Sequence, residues 1–392
     1  MSETKNMIVN MGPQHPATHG VLRLVLELDG ERVVDVIPHL GHLHRGLEKL
    51  AETKTFHQAL TLTDRMDYTG ALLNNLGYCL AVEKLLDIED RIPERASNLR
   101  VLLCELQRMA GHLLWLATHA LDIGAMTVLF YAFREREIIH DMLEDVTGAR
   151  LTPSFIRVGG LANDAPEVFF EKARNFLKIF PKRIDEYEGL LTNNRIWRKR
   201  TEGIGIISRE DCVQYALTGP VLRAAGVKWD LRKAQPYCGY ETYDFEIPVG
   251  TVGDVFERYL VRLAEMRQSI RIAEQALSRV KPGEYILDDF RFTPPPKDAV
   301  YGTIEGLIRH FKIMSAGYKA PAGDVYMSVE ATKGELGYYL VGDGTEKPYR
   351  FRVRPPCFVN LQAIKEMTLG HLVADVIAII GSLDIVLGEI DR

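Results

Sequence analysis

Between Val21 and Leu28, apolar and polar positions alternate with period two, so Leu22, Leu24, Leu26 and Leu28 share one face. Asp29-Gly30 reads as a two-residue hairpin turn, Glu31–Ile37 as the return strand, and Pro38 as the end of pairing. Beyond residue 46 the period lengthens to that of a helix. Leu47–Gln58 and Asp64–Leu86 both show it, the second with Asp64 as N-cap. Asn98 caps a helix to about Leu121, with Leu99, Leu102, Leu106, Met109, Leu113 and Leu116 as its buried stripe. At 1.5 Å per residue that helix is about 34 Å long. Further helices run over Thr127–Val146, stopped near Gly148, and from Asp254 to Val280, ended by Lys281-Pro-Gly283.

The C-terminal part is mixed. Val325–Thr332 and Leu336–Gly342 form a hairpin around Lys333-Gly334-Glu335, Tyr349–Arg354 adds a strand, and helices near Thr303–Ser315 and Lys365–Ile380 flank them. The fold class is therefore α+β, a long-helix bundle core with small peripheral antiparallel sheets. The whole chain, 1–392, reads as one domain. Its parts are an N-terminal β-hairpin region at about 8–38, a helical core at about 47–280 and a mixed C-terminal part at about 297–392. Pro294-Pro-Pro296 is the best linker candidate, but it is too short to divide the chain.

Composition narrows the function classes. With 46% hydrophobic and 26% charged residues the chain is globular, and a net charge of −5 argues against a nucleic-acid surface. The five cysteines are far apart with no Cys-x-x-Cys, which fits buried thiols in a reducing compartment and excludes a self-contained iron–sulfur site. The first residues are polar, so no signal peptide is expected. Val376–Leu387 carries Asp384 and falls short of the roughly 20 apolar residues of a spanning helix, so it reads as core.

Five of the 11 histidines (His15, His19, His39, His42 and His44) fall in the first 44 residues, where an even spread would place about one. They sit in the runs Gly12–Gly20 and Pro38–Gly46 on either side of the hairpin. Clustered imidazoles point to a metal site or a proton-handling pocket, while Pro13, Pro16 and Gly20 also allow plain turn chemistry. Glu105, His112 and His119 are spaced by seven on one helix, with Arg108 and Asp122 alongside. That stripe is either a buried network that sets helix register or a path for protons. Tyr68, expected on the helix after the histidine runs, is either a core tyrosine or a donor into a pocket.

Several segments together carry a resemblance. They are Gly12-Pro-Gln-His-Pro-Ala-Thr-His-Gly-Val-Leu-Arg23, His44-Arg-Gly-Leu-Glu-Lys49, Thr118-His-Ala-Leu-Asp-Ile-Gly-Ala-Met126, Asn193-Asn-Arg-Ile-Trp-Arg198, Trp229-Asp-Leu-Arg-Lys233 and Gly388-Glu-Ile-Asp-Arg392. In this order, over almost the whole chain, they resemble the 49 kDa quinone-site subunit family of respiratory complex I. That family is similar to the large subunit of nickel–iron hydrogenases, whose metal is held by paired Cys-x-x-Cys motifs. Here Val386 and Glu389 stand at the thiolate positions of the second motif, so the resemblance implies the hydrogenase-like fold without its metal.

It further implies that the vacated cavity takes a quinone headgroup as substrate. His19 and Tyr68 would be the two headgroup donors, Asp122 the carboxylate paired with His19, and these three the catalytic residues. Arg45 would lie close to a partner's terminal iron–sulfur cluster. The remaining histidines of the two runs would shape the loops. The chain would bind no cofactor itself, because the cluster and the NADH site belong to partner subunits. The implied partners are the cluster-bearing subunit, the neighbouring peripheral-arm subunit and the membrane-arm subunit at the quinone entrance. The implied setting is a proton-translocating NADH–quinone oxidoreductase, peripheral on the cytoplasmic side of a bacterial cell membrane. One departure is Gly148-Ala-Arg-Leu-Thr152, where many members of the family place a titratable histidine last. The competing expectation is a catalytically silent hydrogenase-like scaffold that holds the cluster subunit against the membrane arm.

Overall fold

The computed structural model describes residues 6–392. The hairpin is present but belongs to a three-stranded antiparallel sheet of β1 (Met7–Met11), β2 (Arg23–Asp29) and β3 (Arg32–His39), in that order. β1 has no signature in the sequence pattern, because Met-Ile-Val-Asn-Met shows no alternation and leaves Met7 and Ile8 exposed. The alternating leucines Leu22, Leu24, Leu26 and Leu28 are all buried. Two details differ from the sequence reading. Asp29 pairs with Arg32, so the turn is Gly30-Glu31, with only Gly30 at positive φ (61°). Pro38 lies inside β3 opposite Leu24, on an edge strand where its missing N–H is not needed.

The expected Leu47–Gln58 helix is two helices, Leu47–Ala51 and Phe56–Thr63. Thr55 splits them by forming a capping box with Gln58. Likewise the helix expected from Asp64 begins only at Ala71 and ends at Leu85 (α1), and Asp64 closes the helix before it. The cause is Asp67, whose Oδ1 accepts from the Thr69 amide (3.0 Å) and hydroxyl (2.6 Å) and bends residues 64–70 into a loop. Tyr68 is therefore on a loop and not on a helix.

Helix α2 (Glu94–Asp122) starts after Pro93, four residues ahead of the expected Asn98 cap. Its 29 residues span about 43 Å. Asn98 instead accepts a hydrogen bond from the Tyr243 hydroxyl at 2.7 Å inside the helix. α3 (Met126–Thr147) ends at Gly148 with φ 76°, as the sequence indicates. α4 (Glu167–Leu191) is not among the expected helices, although Phe169, Ala173, Phe176, Phe180, Ile184, Tyr187 and Leu191 form a buried stripe at helical spacing. Pro181 inside it obscures the signal. α5 (Val255–Arg279) is capped by Asp254, which accepts from the Glu257 amide at 2.8 Å. α2 packs along α3 and α5 at the centre of the molecule.

A second sheet holds β4 (Gly323–Ala331), β5 (Gly334–Gly342) and β6 (Arg350–Arg354), with Thr332-Lys333 as the β4–β5 turn. The C-terminal helix expected at Lys365–Ile380 is interrupted. Ile364–Thr368 and α6 (Val373–Leu383) flank Gly370 (φ 78°), whose amide donates to Val33 of β3 at 2.9 Å. The α+β class holds, with small antiparallel sheets around long helices. A second core packs Leu22, Leu24 and Leu26 against Ile379, Leu383, Val386 and Ile390, and so joins the two ends of the chain.

Glu105 and His112 belong to a buried polar network that fixes α2. Glu105 accepts from Arg108 (3.2 Å), Arg232 (3.1 Å), Tyr240 (2.7 Å) and Ser269 (2.6 Å), and His112 pairs with Glu265 at 3.0 Å. Glu105→Leu leaves two buried guanidinium groups short of an anion. We expect a loss of about 3–5 kcal/mol in chemical denaturation of the chain. A loss below about 1 kcal/mol would show that the network contributes little.

Candidate functional site

The first histidine run is built around a single 3₁₀ turn, Pro16–Thr18. His15 caps it, since its Nδ1 accepts from the Ala17 amide at 3.2 Å and its carbonyl accepts from Thr18. For His15 the turn chemistry is thus real. His19 follows with φ 52°, a left-handed conformation that costs a non-glycine residue roughly 1–2 kcal/mol. The side chain is half-buried, and its Nε2 lies inside with no protein partner. Burial and the nearby Lys333 charge lower its pKa to about 4, so the ring is neutral at physiological pH.

Tyr68 sits on the 64–70 loop, 46% exposed in this subunit. Burial of the phenol and then the Asp67 charge raise its pKa, while Lys333 and Arg45 act in the opposite sense. Arg45 joins this loop to the C-terminus, because its Nη2 donates to the carbonyls of Arg65 and Gly388, both at 2.9 Å. The second histidine run rests on the same terminus. The amides of Gly41 (2.9 Å) and Leu43 (2.7 Å) donate to the Asp391 carboxylate, and His44 Nδ1 lies 2.6 Å from the Asp391 carbonyl. His39, His42 and His44 are exposed.

Lys333 ties His19 and Tyr68 into one electrostatic unit. Its buried ammonium, delivered by the β4–β5 turn, pairs with Asp67 at 3.2 Å and Asp384 at 3.8 Å and donates to Thr69 and to Thr332. Burial alone would lower its pKa, but the Asp384 and Asp67 carboxylates outweigh it and hold the group charged. Asp384 itself ends α6 in a left-handed conformation.

Val386 and Glu389 line the same region. The Val386 amide donates to Cys357 Sγ at 3.4 Å, and Glu389 Oε2 accepts from the Cys357 amide at 3.1 Å. Glu389 Oε1 has no partner, and burial, then the Asp67 charge, push its carboxyl up to about 7. A carboxyl raised from 4.5 to about 7 stays protonated in the folded chain while the unfolded chain ionises. The chain therefore loses stability between pH 4.5 and 7, of the order of 3 kcal/mol, and is level above. Glu389→Gln removes that loss, so its melting temperature should rise relative to the parent across this window. A constant difference over the window would refute the assignment.

Asp122 closes α2 half-buried, and burial raises its pKa to about 6 against the lowering effect of His15. Among the described residues no hydrogen bond or ion pair joins it to His19, and the histidine whose charge acts on it is His15. Lys333 thus acts on both His19 and Tyr68, Arg45 lies against the C-terminal segment, and among the described residues Asp122 makes no hydrogen bond or ion pair with any of the three. Sequence reasoning did not assign Lys333, Asp67 or Cys357. Lys333 gave no signal, since a lysine in a hairpin turn is ordinarily solvated, and here it is 1% exposed. A cavity of about 470 Å³ opens elsewhere, near Glu94, Asn98, Tyr243 and Arg279, and none of the four expected residues lines it. Buried polar atoms without partners lie behind His19 and beside Glu389, and none belongs to a residue lining that cavity. The Lys333 cluster is therefore the candidate site. Among the described residues, no group of three His, Cys, Asp or Glu side chains is placed to hold a metal ion.

Over residues 122–392 the chain matches the family described as the respiratory-chain NADH dehydrogenase 49 Kd subunit. The chain belongs to that family. It is 60% identical to the NADH-quinone oxidoreductase D subunit of Geotalea uraniireducens and 59% identical to that of Trichlorobacter lovleyi, in both cases over the full length of both chains. The second D subunit of Chloroflexus aurantiacus is 55% identical over 99% of this chain and 95% of its own. As a 49 kDa-family subunit the chain takes the other subunits of the respiratory complex as its partners. Among its described residues no helix is long and apolar enough to cross a membrane.

Proposed function

We propose that the region around Lys333 receives the headgroup of a quinone, and that Tyr68 and His19 hydrogen-bond its two carbonyl oxygens. Electrons for its reduction come from an iron–sulfur cluster in a neighbouring subunit of the peripheral arm, and the chain lies on the cytoplasmic side of the membrane, held there by its partners. Reduction is coupled to proton translocation. The observation that carries this reading is the shared ammonium. The half-exposed phenol and the half-buried imidazole come from loops about 50 residues apart, yet Lys333 acts electrostatically on both. A fixed positive charge within electrostatic reach of both donors stabilises the negative charge that develops on the oxygens as electrons arrive.

The donors differ in kind. Tyr68 has one proton to give, and its loss leaves a phenolate facing Lys333 and Arg45. His19 is neutral, so it can give its single N–H only if its other nitrogen takes up a proton in the same event. Asp122, being linked electrostatically to His15, fits a role in setting the loop and its proton supply better than a direct ion pair with His19. Arg45, exposed beside Gly388, is the group we assign to the partner that carries the cluster.

A photoreactive benzoquinone derivative tests the location in the assembled complex. Labelling should fall on the peptides that carry His19 or Tyr68 and should be suppressed by excess unlabelled quinone. Competable labelling confined to other parts of the chain, or to other subunits, would overturn the assignment and favour the silent scaffold.

A further inference from the structure

Behind the His19 loop, buried polar atoms without protein partners gather on several elements. They are Nε2 of His19, both ring nitrogens of His119 on α2, Nε1 of Trp197, and guanidinium nitrogens of Arg258 and Arg262 on α5. Buried polar groups whose protein neighbours offer no partner are met by ordered water.

His119 is held rigidly among them. Its ring stacks on Trp115 with centroids 5.3 Å apart and meets Trp197 edge-on at 5.4 Å. Trp115 Nε1 donates to the Gly381 carbonyl at 2.7 Å, and a Cβ at Gly381 would overlap His119 Nδ1, so glycine on α6 makes room for that nitrogen. The Arg262 guanidinium lies over Trp115, 4.2 Å from the ring centre. His112, one heptad earlier, has Glu265 as a partner, whereas His119 has none. Burial, helped by the charges of Arg262, His19 and Arg258, lowers its pKa to about 3. The ring is neutral, with one N–H and one free acceptor, as a relay requires.

We propose that His119 is the relay residue that returns a proton to His19 during quinone reduction. This rests on His19 being a headgroup donor. When the His19 N–H proton passes to the reduced quinone oxygen, the other nitrogen of His19 takes a proton that originates from His119 N–H, through water. The second nitrogen of His119 is refilled from the solvent side, where Asp122 stands one turn further along α2, half-buried and titrating near 6. One proton enters from solvent and one leaves on the quinol, and both imidazoles end neutral with the proton on the opposite ring nitrogen, a tautomer shift that proton exchange through the water reverses before the next turnover. The two electrons come from the iron–sulfur donor of the neighbouring subunit, and the second proton comes from Tyr68.

The test uses the assembled complex with His119→Phe, which keeps a ring between the tryptophans, and His119→Gln, which keeps a polar group but cannot shuttle. Each should lower NADH-driven reduction of a short-chain quinone at least tenfold at saturation, leave KM for quinone within twofold, and at least double the solvent deuterium isotope effect. NADH oxidation by an artificial acceptor that draws electrons upstream should be unchanged. Quinone reduction within twofold of the parent with an unaltered isotope effect, in either variant that assembles, would overturn the relay. The photoreactive quinone separates the two readings. Retained labelling of the His19 or Tyr68 peptide with a normal rate would sink the relay alone, whereas parent complex that never labels there would sink the pocket itself.

Discussion

Tyr68→Phe should reduce quinone turnover by the assembled complex about a hundredfold, because a positioned general acid typically contributes 10²–10⁴ to rate. The ring and its packing remain, so the loss isolates the hydroxyl. Asp67, the residue that bends the loop, is untouched and keeps its bonds to Thr69. Both kcat and KM should change, since the same hydroxyl holds the carbonyl in the ground state and protonates it as charge develops. Steady-state kinetics with NADH and a short-chain quinone measure this. Normal kcat and KM would remove Tyr68 from the chemistry and leave the scaffold reading in its place.

Lys333→Met should have the largest effect on stability. Lys333 is paired with Asp67 and Asp384, all in the interior. Removing the ammonium leaves those carboxylates uncompensated beside Glu389, whose carboxyl already ionises only at about 7. Breaking a buried pair from one side costs about 3–5 kcal/mol. Chemical denaturation of the chain should show that loss, and adding Asp67→Asn should recover part of it by removing one orphaned charge. Equal stability of parent and Lys333→Met would mean that the carboxylates are neutral in the folded chain. His19 gives an independent readout: without the Lys333 charge its pKa should rise from about 4 toward its ordinary value.

How much of this was legible in the sequence depended on how local the determinant was. The alternating leucines of β2, the Gly148 stop and the Asp254 cap are all legible along the chain, because each is fixed by residues within one turn or strand. The differences fall where a side chain or a distant strand redirects the backbone. Asp67 unwinds the start of α1, Thr55 splits an apparent helix, and pairing of Gly370 with β3 breaks another. His19, Tyr68 and Arg45 stand out through family motifs, and the structure sets Arg45 against the C-terminal segment and Lys333 within electrostatic reach of the other two. Among the described residues no hydrogen bond or ion pair joins Asp122 to His19, and the histidine that acts on its charge is His15.

The sequence by itself determined the class of fold, the family, the lack of thiolates at the hydrogenase-like positions and the density of histidines near the N-terminus. Tertiary structure alone decided what those histidines do. His15 became a turn cap, His44 a contact to the C-terminus, and His19 a half-buried neutral ring. It also decided that Lys333, from a β-turn, is buried and paired with Asp67 and Asp384. The physical reason is that protonation state and charge pairing depend on burial and on neighbours hundreds of residues away. Periodicity and capping act over a few residues and can be read along the chain, whereas the dielectric surroundings of a group exist only once the core has closed around it.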